Sequence, residues 1–288
     1  MRYHIERVFP KLTDLVIDTI HKEGRYCKMN STHAPRFLEN KDSSEIVVFI
    51  HGFMGSPRQF DRIAELTHKG GYNAQIILLP GHGGTLKEFS SSTYRMWRSH
   101  LYSELDRLSE SYDKIWLVGH SMGGLLALCA GRYPSRKISG IFLISTPMEL
   151  TFLSKEDIKI RLAQVFLDED HYVNKEYIGK SSIPRTHSMP FHALAPMVEV
   201  RKLMSVTRAL LPKVRIPVEA VYSVSDELVS IRSLKILKSG LVHAPLKYTV
   251  LVDSLHAYFT DEEKELIDKA LLDFLKNPIP MVKAEHSL

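Results

Sequence analysis

Lys114-Ile115-Trp116-Leu117-Val118-Gly119-His120-Ser121-Met122-Gly123-Gly124-Leu125-Leu126-Ala127-Leu128 is an apolar run that meets Gly-His-Ser-Met-Gly and then resumes as a helix-competent run. The pattern reads as a strand, a tight turn and a helix. Glycine on both flanks of Ser121 suits a sharp reversal, because a side chain at either place would collide with the neighbouring strand or helix. Ser121 is left standing on the turn. The backbone amides that follow, beginning with Met122, fall at a helix N-terminus, where partial positive charge collects and no intrahelical acceptor exists. Such a position can hold an oxyanion. By itself the pattern also fits an ordinary strand-to-helix turn with Ser121 as its N-cap, so the nucleophile reading depends on partners elsewhere in the chain.

Working outward, 288 residues can bury about three-quarters of the surface the unfolded chain exposes, enough for one large domain with an insertion. Apolar and charged fractions of 44% and 25% are those of a soluble globular protein. No apolar run approaches the roughly 20 residues a spanning helix needs, so integral membrane association is not expected. Met1 to Arg7 lacks a long apolar core and Asp14 and Asp18 follow, which does not read as a signal peptide; the expected location is the cytoplasm. Cys27 and Cys129 lie far apart and imply neither a staple nor a metal framework. The net charge of +5 comes from 38 basic and 33 acidic residues that are scattered, without a basic arm or aromatic interleaving, which speaks against nucleic acid as a partner.

Residues 1–44 are the least legible. A short amphipathic helix is expected near 10–20 from Leu12, Leu15, Val16 and Ile20, and Arg36-Phe37-Leu38 is the candidate for a short edge strand. Glu45 to Ile50 is a continuous apolar run, the mark of a strand covered on both faces, and it delivers His51-Gly52-Phe53-Met54-Gly55. Ser56 and Pro57 read as the cap and first residue of a helix through Lys69. Ala74 to Leu79 is a further buried strand ending in Pro80-Gly81-His82-Gly83-Gly84, and Trp97, Leu101, Leu105 and Leu108 mark a helix. Strands follow at Ile138 to Ser145, Ile216 to Tyr222 and Leu246 to Val252, with a helix near Ile231 to Lys238. Thr260 and Glu263 read as a capping box for a last helix. This alternation implies a mostly parallel sheet flanked by helices, with function at the carboxyl ends of the strands.

Between Met148 and Arg215 the rhythm breaks. Ser154 to Asp157 reads as a capping box for a helix to about Leu167, and a second helix is expected from Pro196 to Leu211. The organisation expected is a core over 1–147 and 216–288 with a small helical cap inserted over 148–215, lying across the strand ends. Met148, Leu150, Phe152, Leu153, Met189 and Phe191 could line a pocket beneath it or simply hold it down.

Three strand ends then present Ser121, Asp226 and His256 in the order nucleophile, acid, base. That order is the one used by the α/β-hydrolase fold, whereas chymotrypsin- and subtilisin-type proteins use others. From about Glu45 to Lys276 the chain resembles that superfamily, through His51 to Gly55, Pro80 to Gly83, Gly119 to Gly123, Asp226 with Val229, and His256. Within it the chain looks like small carboxylesterases and monoacylglycerol lipases with a compact helical cap. The resemblance implies Ser121 as nucleophile, His256 as base and then acid, Asp226 as the group orienting His256, and the backbone NH groups of Phe53 and Met122 as the oxyanion hole. Phe53, Met148, Phe152 and Leu153 are the candidate substrate-binding residues. Ser223 stands where similar proteins often have Gly, and so does Asp253-Ser254-Leu255 before His256.

Glu227 and Asp253 compete with Asp226 as the acid, which is favoured by its place after the preceding strand. His51, His82 and His120 also lie at strand ends, but they share no metal-ligand spacing, and neither a metal nor another cofactor is expected. The function expected is hydrolysis of small-molecule carboxylic esters. The alternatives are thioester or aromatic-acid ester hydrolysis, acyl transfer, and a non-catalytic binding protein on the same fold. The base should titrate near the ordinary histidine value of about 6 to 7.

Overall fold

The structure is a computed structural model that describes residues 33–133, 136–151, 180–183 and 188–280. The expected helices near 10–20 and from Ser154 to Leu167 lie outside the described residues, as do Cys27, Phe152 and Leu153. Seven strands, β1 (Arg36–Leu38), β2 (Glu45–Ile50), β3 (Asn73–Ile77), β4 (Lys114–His120), β5 (Ile138–Ile144), β6 (Val218–Ser223) and β7 (Leu246–Leu251), form one sheet in the order β1-β3-β2-β4-β5-β6-β7. β1 runs antiparallel to β3 as an edge strand; all other pairings are parallel.

The continuous apolar runs are explained by helices on both faces. Ile46, Val48 and Ile50 of β2 face a core built with Trp97, Leu101, Leu105 and Leu108 of one helix (Tyr94–Ser111) and with Leu125 to Ala130 of the helix after Ser121. Val47 and Phe49, one residue out of step, face the opposite core with Ile63 and Ala64 and with Ile267, Leu271 and Phe274. These five of the six β2 side chains are fully buried. Each contributes roughly 1.5–3 kcal/mol of transfer free energy, so β2 is a main anchor of the sheet.

In chain order the helices are α1 (Asp61–Lys69), α2 (Leu86–Ser91), α3 (Tyr94–Ser111), α4 (Met122–Ala130), α5 (Met189–Leu210), α6 (Arg232–Gly240) and α7 (Asp261–Lys276). Three details depart from expectation. α2 has too few residues for an apolar period, and its mark is the Thr85/Glu88 capping box, in which the Thr85 hydroxyl accepts from the Glu88 amide and the Glu88 carboxylate from the Thr85 amide. α5 begins at Met189 rather than Pro196, with Pro190 in its first turn and Pro196 inside it. Pro196 removes one backbone bond, but packing of α5 on α2, α3 and α4 outweighs that local cost. β3 ends at Ile77, short of Leu79, because the Leu79 amide leaves the ladder and donates to His51 Nε2 at 3.0 Å.

Candidate active site

Because the strands are parallel, Gly52, Ser121, Thr146, Asp226 and His256 all emerge at one edge of the sheet. Ser121 sits between β4 and α4 with φ 53° and ψ −120°, and its side chain makes no cap hydrogen bond. The cap alternative therefore fails. A Cβ on Gly119 would lie 2.5 Å from the Gly124 nitrogen, and one on Gly123 would lie 2.0 Å from the Ile50 carbonyl oxygen. Both glycines are thus required by close approach of backbone, one to the helix and the other to β2. The left-handed φ of Ser121 is a strained conformation for a residue with a Cβ. It turns the hydroxyl away from α4.

That hydroxyl lies 2.9 Å from His256 Nε2, and His256 Nδ1 lies 2.9 Å from Asp226 Oδ2. The other Asp226 oxygen accepts from the amides of Leu228 and Val229 at 2.9 and 2.8 Å. Ser121, Asp226 and His256 are 8%, 7% and 8% exposed, so the three form a chain of hydrogen bonds nearly shielded from solvent. Burial alone would raise the pKa of Asp226, but His256 and the two amides outweigh it and bring the carboxyl below its ordinary value. For His256, burial alone would lower the pKa; the charge and hydrogen bond of Asp226, with Glu227 behind, outweigh it and raise it above the ordinary histidine value. An imidazole whose Nδ1 is held by a carboxylate donates from Nδ1 and keeps Nε2 as an acceptor for the Ser121 proton.

The loop that carries His256 is held by groups that local patterns assign elsewhere. Thr260 caps α7 through the Glu263 amide, but the expected capping box is incomplete. The Glu263 carboxylate instead accepts from the amides of Val252, Asp253 and Ser254 at 2.7, 3.1 and 2.8 Å, and from the Ser254 hydroxyl. A carboxylate surrounded by four donors gains more from them than from the single Thr260 amide. Ser223 donates to the Ser254 carbonyl at 2.5 Å, so the side chain at this Gly-like position ties the two strand ends together. His120 Nε2 donates to the His256 carbonyl at 2.9 Å; burial and the neighbouring His256 push the His120 pKa down to about 3, keeping it neutral. Glu227, the neighbouring candidate for the acid, accepts from the His256 amide at 2.8 Å instead of meeting the ring. Asp253 is exposed and bonds through its backbone. We expect Glu263→Ala to cost about 1–3 kcal/mol in stability, since the buried Ser254 amide and hydroxyl and the part-buried Val252 and Asp253 amides lose a charged acceptor, and to lower any Ser121-dependent activity more than tenfold; thermal unfolding and initial rates check both.

The loop after β2 lies against the turn. A Cβ on Gly52 would meet His120 Nδ1 at 3.0 Å and the Ser121 Cβ at 3.2 Å, so the Gly52–Phe53 backbone passes close beside Ser121. His51 Nδ1 donates to the Gly52 carbonyl at 2.9 Å and its Nε2 accepts from Leu79, which occupies both ring nitrogens. His82 packs edge-on against His51 and Phe89, and burial pushes its pKa down to about 4. Among the described residues no three His, Cys, Asp or Glu side chains gather as a metal-holding group. Phe53 is partly buried, its ring centroid 5.4 Å from that of Phe89, beside a small cluster of Met54, Ile183, Met189 and Ala193. Met148 departs from its pocket assignment: it is fully buried in the main core, with its amide on the Ser233 hydroxyl, and presents no surface to a ligand. The signal that could have found Phe89 and Ile183 is weak, because both are single apolar residues in short segments.

A family model described as "Alpha/beta hydrolase family" matches residues 47–253, which spans the turn, the loop after β2 and the Asp226 strand end. The chain belongs to the alpha/beta hydrolase family. This alpha/beta hydrolase is similar to the thermostable monoacylglycerol lipase of Bacillus sp. (strain H-257), with 24% identity over 232 residues, 79% of this chain and 89% of that protein. A stretch of 87 residues is 36% identical to the 2-succinyl-6-hydroxy-2,4-cyclohexadiene-1-carboxylate synthase of Salmonella agona, covering 29% of this chain and 31% of the synthase. Among solved structures, a metagenome-derived lipolytic enzyme superposes with a TM-score of 0.68 at 23% identity, over 86% of this chain and 99% of its own. That likeness is one of fold. No helix among the described residues is long and apolar enough to cross a membrane.

Proposed function

We propose that this alpha/beta hydrolase is a serine hydrolase that cleaves carboxylic esters of small or medium apolar acyl chains through an acyl-enzyme. The observation that carries the reading is the buried relay in which His256 touches both the Ser121 hydroxyl and the Asp226 carboxylate at 2.9 Å. A serine hydroxyl is a poor nucleophile near neutral pH until a neutral imidazole accepts its proton during attack. In this reading Ser121 Oγ attacks the ester carbonyl carbon while its proton passes to His256 Nε2, and Asp226 stabilises the imidazolium. The oxygen of the tetrahedral intermediate is met by the amides of Met122, first in α4, and Phe53. Collapse breaks the bond to the alkoxy group, which takes the proton from His256. Water, deprotonated by the same imidazole, then releases the acid and restores Ser121. Each oxyanion donor contributes about 3–4 kcal/mol of transition-state stabilisation in such sites.

The likeness over most of its length to a monoacylglycerol lipase supports an ester substrate, and the partly buried Phe53, backed by the fully buried Phe89, supplies an apolar surface for an acyl group. In the same reading α5 and the segment 180–183 belong to a cap over residues 148–215. Aryl esters of increasing acyl length, with fluorophosphonate labelling of Ser121, test it. Turnover that is highest on short or medium chains, together with labelling, supports it. A protein that labels at Ser121 but turns over no ester, or that acts only on thioesters or transfers the acyl group to another acceptor, overturns the ester-hydrolase assignment.

The pH dependence follows from the His256 environment. The base is active only when neutral, so kcat/KM rises with pH and levels off once His256 is deprotonated. Because Asp226 and Glu227 outweigh burial and raise its pKa, the midpoint should lie above the ordinary value of about 6.5, not at it. A pH–rate profile of wild type on a non-titrating ester checks this.

A further inference from the structure

We infer that the segment from Lys180 to Ile183 positions the oxyanion loop from outside the sheet, with Ser181 and Ser182 as positioning residues for the Phe53 amide. This rests on the serine-hydrolase reading, in which that amide is a donor to the oxyanion. From its own side of the molecule the loop is restrained at its Gly52 end, where the Gly52 carbonyl accepts from His51 Nδ1 at 2.9 Å. The Gly55 amide donates to the Gly52 carbonyl and the Gly52 amide to Gln59 Oε1, each at 3.0 Å. From the other side come four hydrogen bonds. The Met54 carbonyl accepts from the Ser182 amide at 3.0 Å and from the Ser181 hydroxyl at 3.1 Å. The Gly55 carbonyl accepts from the Ser182 hydroxyl at 2.6 Å, and Ser56 donates its hydroxyl to the Lys180 carbonyl at 2.8 Å. Gly55 and Ser181 pair as an antiparallel bridge.

The grip falls where the backbone needs it. Met54 has φ 59°, a left-handed conformation that costs a residue with a side chain of order 1 kcal/mol or more and persists only when its surroundings over-determine it. The surroundings are the two donors on its carbonyl and the burial of its side chain among Phe89, Ile183 and Met189. Phe53 lies between Gly52, whose backbone passes too close to Ser121 to leave easy room for a side chain, and this constrained Met54. Its N–H direction is therefore set by backbone anchored at both ends. An oxyanion donor displaced by even about 1 Å loses much of its effect, since such misplacement can cost of order a hundredfold in rate. Ser182 is 4% exposed, so no solvent replaces its hydroxyl once removed.

The test uses Ser181→Ala, Ser182→Ala, the double variant and Ser182→Thr, which keeps a hydroxyl. The double variant should lose about tenfold or more in kcat on a short-chain ester, with KM within about twofold and the pH midpoint unchanged, because His256 is untouched. Affinity for an alkyl boronic acid, which forms a tetrahedral adduct on Ser121, should fall in proportion. Ser182→Thr should recover most of the rate, and each single variant should fall between. If the double variant does not fold, the single variants and Ser182→Thr decide by the same split. Unchanged kcat and boronate affinity would overturn the inference, as would a loss carried wholly by KM. A wild-type protein that turns over no ester is a different result and counts against the serine-hydrolase reading itself.

Discussion

Ser121→Ala should lower ester hydrolysis by at least about 10³-fold while the protein stays folded. Nucleophile deletions in comparable relays cost up to about 10⁶ in kcat, and the smaller figure leaves room for water attack assisted by the remaining donors. The fold should survive because the hydroxyl contacts His256 Nε2 and caps nothing. Alanine also carries the same Cβ as serine, so the strain at φ 53° is neither relieved nor increased. Initial rates on a short-chain aryl ester, circular dichroism and loss of fluorophosphonate labelling check the three parts. Retention of a tenth of the wild-type rate, with contaminating esterase excluded, would remove Ser121 as the nucleophile.

Asp226→Asn should lose at least about a hundredfold in kcat, against up to about 10⁴ for the matching change in the serine-protease template. The geometry gives the reason. The oxygen that accepts from Leu228 and Val229 must remain an oxygen, so the new amide nitrogen faces His256 Nδ1. That nitrogen donates, which makes Nδ1 the acceptor and moves the imidazole proton to Nε2, where it points at the Ser121 hydroxyl and blocks proton uptake. Glu227→Gln should stay within about tenfold, because its carbonyl oxygen can still accept from the His256 amide, and it should move the pH midpoint downward by removing a charge. Asp253→Asn should also stay within about tenfold, since that side chain is exposed. Steady-state kinetics on the three variants rank them; Asp253→Asn as the most damaged would transfer the orienting role to the wrong side of the loop and end this assignment.

The misreadings share a cause. Ser56 and Glu263 both stand in patterns that mark helix starts; a short 3-10 turn over Pro57–Phe60 follows Ser56 and leads into α1 at Asp61, and α7 starts at Asp261. Yet the Ser56 hydroxyl reaches Lys180, 124 residues away, and the Glu263 carboxylate reaches the loop of His256. A capping pattern states what a side chain can do within its own turn. It carries no information on a better partner brought from another element, and a buried carboxylate goes where most donors converge. α5 is the same case for the backbone: Pro196 reads as a helix start, while packing on α2, α3 and α4 carries the helix through it.

What the sequence by itself determined was the alternation of buried strands and helices, the glycine-flanked Ser121 turn, and the order Ser121, Asp226, His256 along the chain. Those are properties of neighbouring residues: periodicity, small residues at close approaches, and connection order in a parallel sheet. Only the tertiary structure decided which carboxylate meets His256. Position after the strand favours Asp226 over Glu227 and Asp253 without fixing a contact, and in the structure they divide into one that touches the ring, one that holds the backbone and one in solvent. It also withdrew Met148 from the pocket into the core. The physical reason is range. A hydrogen bond is made or lost within a few tenths of an ångström, and that distance is set by how the ends of five strands, with the loops they carry, pack against one another in space.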